Sequence, residues 1–167
     1  MRIGVIEAGK VGGGLGKIWV RAGHQVLFSS RHPNKLKVLI EQAGPGAHAG
    51  TVSLPGSTTA GEELAKKLPN ALVVKAFSTF PASFIPHAFY RPVELQRLVV
   101  FYCGDHRLSK AAVHQLIADS NFVGLDAGPL RLAREFEAPG RLHGAGLVGI
   151  AEARRLLKRI RPEIRVG

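Results

Sequence analysis

The sequence predicts an α/β protein in which helices flank a mainly parallel sheet, and three observations support this. Short apolar strand segments alternate with helical ones along the chain, as they do where each crossover between parallel strands is a helix. Residues 98–103 form one continuous apolar run, the composition of a strand covered on both faces. The first strand also passes through a glycine-bearing turn directly into an amphipathic helix.

The elements follow in order. Ile3-Gly4-Val5-Ile6 is a short strand. From Lys10 to Ala22, apolar residues recur at Val11, Leu15, Ile18, Trp19 and Ala22, which is one helix face, and Gly23 suits the residue just past a helix end. Val26-Leu27-Phe28 is the second strand. Pro33 opens a helix whose inner face is Leu36, Leu39, Ile40 and Ala43. Gly44 to Gly61 holds five glycines and two prolines, with a strand near Ala49–Ser53 only weakly marked. Glu62–Leu68 is a short helix and Leu72–Phe77 a strand. Pro81, Pro86 and Pro92 prevent Thr79–Arg97 from being one regular element. Its aromatic part, Phe80–Tyr90, is either a lid or substrate wall or a surface that packs on another subunit. After the buried strand, Ser109 is expected to cap a helix with Val113, Leu116 and Ile117 inward. Phe122–Leu125 is the last strand, and Ile150–Ile160 is a final helix stopped by Pro162. The expected organisation is one domain over residues 1–167.

The bulk composition narrows the class. With 46% apolar and 21% charged residues, the chain is an ordinary globular one. No apolar run approaches the roughly 18 residues of a membrane span. Met1–Glu7 lacks the basic-then-apolar layout of a secretory leader. A cytoplasmic address with no membrane partner is therefore expected. Cys103, the single cysteine, lies in the apolar run and reads as core packing. The seven histidines show no metal-ligand spacing, so no metal is expected.

Charge is the unusual feature. Lys and Arg total 23 against 12 acids, a net +11, which suits an anionic ligand, a nucleic acid or an acidic partner. From Arg131 to the end there are nine basic and four acidic residues. Arg154, Arg155, Lys158 and Arg159 fall on one side of the last helix, a pattern usual for a solvated face. No recognised nucleic-acid-binding motif accompanies the charge, so nucleic acid is not expected.

The turn after the first strand carries the chemistry. Strand, glycine turn and helix together bind a dinucleotide pyrophosphate, because the helix amino end offers unpaired N–H groups and glycines let the backbone approach. The run is Glu7-Ala8-Gly9-Lys10-Val11-Gly12. It keeps the second and third glycines of G-x-G-x-x-G and places Glu7 at the first. Ala8, Gly9, Lys10, Val11 and Gly12 are the candidate pyrophosphate residues, in a Rossmann-like, doubly wound arrangement. The second strand ends in Phe28-Ser29-Ser30-Arg31-His32, with no acid for a ribose 2′-hydroxyl. Ser30 and Arg31, with Lys35 one turn on, suit the 2′-phosphate of NADP. A Glu7 carboxylate about 5 Å from a phosphate would cost roughly 3 kcal/mol, on the order of a hundredfold in affinity, unless it turned away or paired with Lys10.

These blocks resemble the NADP-binding half of the reductases dependent on the deazaflavin coenzyme, factor 420, and their bacterial relatives. The resemblance resumes at Gly61–Ala65 and Leu68-Pro69, runs through Val73–Thr79, and returns in Val99–Gly104 and Asp126–Leu130. It implies hydride transfer between NADPH and a deazaflavin, a flavin or another small electron acceptor or donor. It also places Lys75–Thr79 near the nicotinamide, with Phe77 and Ser78 as cofactor-binding residues; no catalytic residue is assigned. Three departures stand out: Glu7 replaces glycine, Ser78 replaces the usual asparagine, and two strands of the family are missing. The missing strands point to an internal deletion near 44–61. The alternative reading is a non-catalytic relative that binds a nucleotide or a partner. An uncovered sheet edge or face would favour a homodimer.

Overall fold

The computed structural model describes residues 1–6, 8–30, 33–51, 70–90, 92, 97–137 and 139–161. They fall into two compact units, one drawn from Met1–Gly56 and Ala82–Tyr90, the other from Ser57–Pro81 and Arg91–Gly167. Among the described residues no helix is long and apolar enough to cross a membrane.

The first unit is a βαβαβ arrangement: β1 (Arg2–Ile6), α1 (Lys10–Arg21), β2 (Gln25–Ser30), a 3₁₀ turn (Pro33–Leu36), α2 (Lys37–Ala43) and β3 (Ala47–Thr51). β2 lies between β1 and β3, and both pairings are parallel, with Val5 opposite Phe28 and Phe28 opposite Ala49. Val5, Val26 and Phe28 point to one face and are buried with Val20, Leu36 and Ala43. The alternation of β2 supplies that face, because successive strand side chains point to opposite sides. α1 lies close on this core because Gly16 has no side chain, and a Cβ there would overlap the Phe28 ring. Gly23 ends α1 at φ +86°. Its N–H donates to the Val20 carbonyl and that of His24 to the Trp19 carbonyl, the paired bonds of a Schellman end. The weakly marked strand is real but lies two residues earlier than expected, at Ala47–Thr51. α3 (Phe84–Phe89) also belongs to this unit, and Ile85, 1% exposed, packs beside Gly14 of α1. The segment is thus partly a cover for α1, with Pro86 tolerated because it sits in a first turn.

The second unit contains β4 (Val74–Ala76), β5 (Val99–Gly104), α4 (Arg107–Asp119), β6 (Val123–Gly128), a 3₁₀ segment (Leu130–Phe136) and α5 (Ile150–Ile160). β5 is central, antiparallel to β4 and parallel to β6. Every residue of β5 is buried, as the continuous apolar run predicts. Val99, Phe101 and Cys103 join Phe136, Leu142, Ala153 and Leu157 in the core. Opposite Tyr102 and Cys103, β6 presents Asp126 and Gly128, so Ala127 is an extra residue in a bulge. The cap of α4 differs from expectation. His106 is the N-cap, and Ser109 lies inside the helix with its hydroxyl donating back to the His106 carbonyl at 3.0 Å. A serine in a first turn can satisfy its hydroxyl this way without capping. The expected helix at Glu62–Leu68 and the stop at Pro162 lie outside the described residues.

Candidate functional site

The site predicted from sequence begins where β1 leaves the sheet. Gly9 is the N-cap of α1, with extended backbone (φ −77°, ψ −158°) and no side chain to occupy the cap. The first helical bond runs from the Gly13 N–H to the Gly9 carbonyl at 2.7 Å. The N–H groups of Lys10, Val11 and Gly12 therefore belong to the first turn, which has no acceptor within the helix. No acidic residue stands in that turn. Gly9, Lys10 and Val11 are exposed, and Ala8 and Gly12 half-buried.

β2 brings the second part of the site to the same end. The Ala8 N–H donates to the Ser29 carbonyl at 3.2 Å, which ties the glycine turn to the end of β2. Ser29 is itself structural: its buried hydroxyl donates to the Val5 carbonyl at 2.9 Å and joins β2 to β1. Ser30, half-buried, is the last residue of β2 and pairs in register with Thr51. Lys35 is exposed in the 3₁₀ turn that follows. Ala8–Gly12 and Ser30 thus share one end of the β1–β2 pair, where ligands of parallel α/β sheets bind. Glu7 and Arg31 lie outside the described residues.

Phe77 and Ser78 belong to the second unit, immediately after β4. Phe77 has a positive φ of 58°, an uncommon state for a bulky residue. Its ring meets Phe80 and Phe122 edge-on at 6.4 and 6.0 Å. Ser78 is exposed and its hydroxyl donates to the Ala76 carbonyl at 3.2 Å.

The same unit holds a polar group that the sequence did not reveal. Lys75 is ion-paired with Glu137. Lys110 Nζ is 2.8 Å from Asp126 Oδ2, while Asp126 Oδ1 accepts the Gly128 N–H at 2.8 Å across the bulge. Asp105 Oδ1 accepts the Leu130 N–H at 2.9 Å. Asp-x-Gly at 126–128 was a usable signal, because an aspartate that accepts from the N–H two residues on is a common turn device. Burial raises the Tyr102 phenol above its ordinary range, with the Asp126 carboxylate adding to the shift. Among the described residues no group of three His, Cys, Asp or Glu could hold a metal ion.

Comparison with known proteins extends this geometry. None of the curated proteins matches the chain. A hypothetical protein from Sinorhizobium meliloti shares the fold with a TM-score of 0.74 at 19% identity, over 89% of this chain and 95% of that one. A candidate F420-dependent NADP reductase from Arthrobacter sp. FB24 does so with a TM-score of 0.62 at 18% identity, over 79% and 86%. At such identities the likeness is one of fold, and the fold is Rossmann-like. Residues 2–74 match the family described as NADP oxidoreductase, coenzyme F420-dependent, so the β1–α1–β2 site lies within the stretch that this oxidoreductase family matches.

Proposed function

We propose that the chain is an NADP(H)-binding oxidoreductase whose first unit anchors the adenosine half of the cofactor. The observation that carries this reading is the Ala8–Ser29 hydrogen bond, which ties the amino end of α1 to the end of β2. In this reading the N–H groups of Gly9–Gly12 bind the pyrophosphate beside Ala8, while Ser30 and Lys35, with Arg31 next in the sequence, bind the 2′-phosphate. The residues fit such a group: the N-cap is a bare glycine, the first helical turn carries no acid, and Lys10 and Lys35 are exposed cations. Helix-end N–H groups and the helix dipole favour an anion there. The family resemblance also names Phe77 and Ser78, in the second unit, as cofactor-binding candidates. The bound nicotinamide would supply or accept a hydride, and a deazaflavin, a flavin or another small molecule would be its partner. The protein's own contribution is to bind and orient, since hydride transfer depends on positioning more than on acid–base groups.

Calorimetric titration with NADPH and NADH tests this. Micromolar NADPH binding with NADH at least about tenfold weaker is expected, and Arg31→Ala should bring the two cofactors together, because tenfold corresponds to about 1.4 kcal/mol from one charge-assisted contact. Glu7 supports a second reading, a non-catalytic relative. Binding by Glu7→Gly but not by the natural chain would mean an intact fold with a disabled cofactor site. No binding by either chain would overturn both readings of the nucleotide site.

A further inference from the structure

We propose that the exposed side of α5 is a docking face for the phosphate backbone of a nucleic acid. The inner side of this helix is sealed: Ala153 is 0% and Leu157 2% exposed, packed in one core with Phe136 and Leu142. The helix therefore has no apolar face left to insert into lipid, which separates it from a membrane-surface helix. Its outer side carries Arg154, Arg155, Lys158 and Arg159, all exposed. Arg154 with Lys158, and Arg155 with Arg159, form two rows four residues apart, about 6 Å along the axis at 1.5 Å per residue. Like charges at this spacing weaken a helix rather than support it, so helix stability does not account for them. Glu152 meets Arg155 at 2.7 Å, and among the described residues no acid pairs with the other three. Arg141 adds a cation at the carboxyl end, with Nη1 donating to the Arg159 carbonyl at 2.6 Å.

The chemistry favours phosphate over an acidic protein. A protein interface is organised around an apolar centre, and the exposed residues of α5 are Ala151 and the four cations. Nucleic-acid interfaces are more polar and far more positive. Three of the four cations are arginines, whose planar donor forks match phosphate oxygens.

The test is fluorescence anisotropy of the full chain with a labelled random-sequence DNA duplex, repeated across a salt series. Four phosphate contacts predict a log–log salt slope of about −3.6. Arg154→Glu with Lys158→Glu should lower affinity on the order of 50-fold at about 100 mM salt and make the slope shallower by about two. Lys37→Glu with Arg107→Glu removes the same charge from exposed positions elsewhere and should cost less than about threefold, since it breaks no phosphate contact. The milder pair Arg154→Gln and Lys158→Gln, checked by circular dichroism, gives the same ordering if charge reversal unfolds α5. Equal losses in the two charge-reversed chains would overturn the proposal in favour of bulk charge. Absence of duplex binding at about 25 mM salt would overturn it outright, as that is where counterion release is most favourable. Tighter binding to polyglutamate than to the duplex would replace it with an acidic protein partner.

Discussion

Cys103 sits in the middle of the second unit's core, and burial pushes its thiol up to about 12, outweighing the nearby Lys75 ammonium, which favours the thiolate. At pH 8 the folded chain carries far less thiolate than an unburied cysteine would. Alkylation by iodoacetamide should therefore be negligible in the folded chain and prompt in urea; rapid labelling of the folded chain would contradict the burial. Because the folded value lies above the unfolded one, the stability linked to this thiol is fully present below about pH 9 and lost as the pH rises through about 12. Gly16 shows the opposite kind of constraint, an absence of atoms that is required. Gly16→Ala should cost about 1–3 kcal/mol through overpacking against Phe28, read as a lower urea midpoint. An unchanged midpoint would mean that α1 can shift away from β2.

Within α1, the ends differ in what they need. Gly9 begins the helix with a bare cap, and Gly23 ends it in the left-handed region with two carbonyls satisfied behind it. Gly23→Ala should cost on the order of 1 kcal/mol, the steric penalty of a side chain at positive φ. Gly4 in β1 is a suitable contrast, because a Cβ there meets nothing within 4 Å and its φ lies outside the left-handed region. Gly4→Ala should be neutral or slightly stabilising by less than about 1 kcal/mol, through the unfolded chain. Thermal melts of the two variants should move in clearly different ways. A similar fall for both would mean that β1 cannot accept a side chain at that position.

For the whole chain, the proposed cofactor gives a spatial prediction. A ligand that binds only the folded state stabilises it by about 2.7 kcal/mol at a hundredfold excess over Kd. If NADPH is anchored by its adenosine half, amide hydrogen exchange should slow most in β1, α1 and β2. Uniform slowing of both units would argue against local anchorage at Gly9–Gly12 and Ser30.

The sequence determined the local features. Period 3.6 marked α1, and Ile150–Ile160 emerged as a helix with the same bounds. Gly23 marked the end of α1 through its freedom at positive φ, and the apolar run marked β5 to within one residue. These signals work because propensity and periodicity act over a few residues. The glycine turn was legible as a helix start because a strand–turn–helix fixes its own geometry, and Gly9 is the N-cap of α1. Tertiary structure alone decided the rest. β3 at Ala47–Thr51 is small and glycine-bearing, and it is a strand because β2 offers it a partner. The antiparallel direction of β4, the Ala127 bulge, the pairing of Lys75 with Glu137 and that of Lys110 with Asp126 all join distant parts of the chain. Such contacts leave no periodic trace, since their energy depends on which backbone arrives beside which, and only the folded chain sets that.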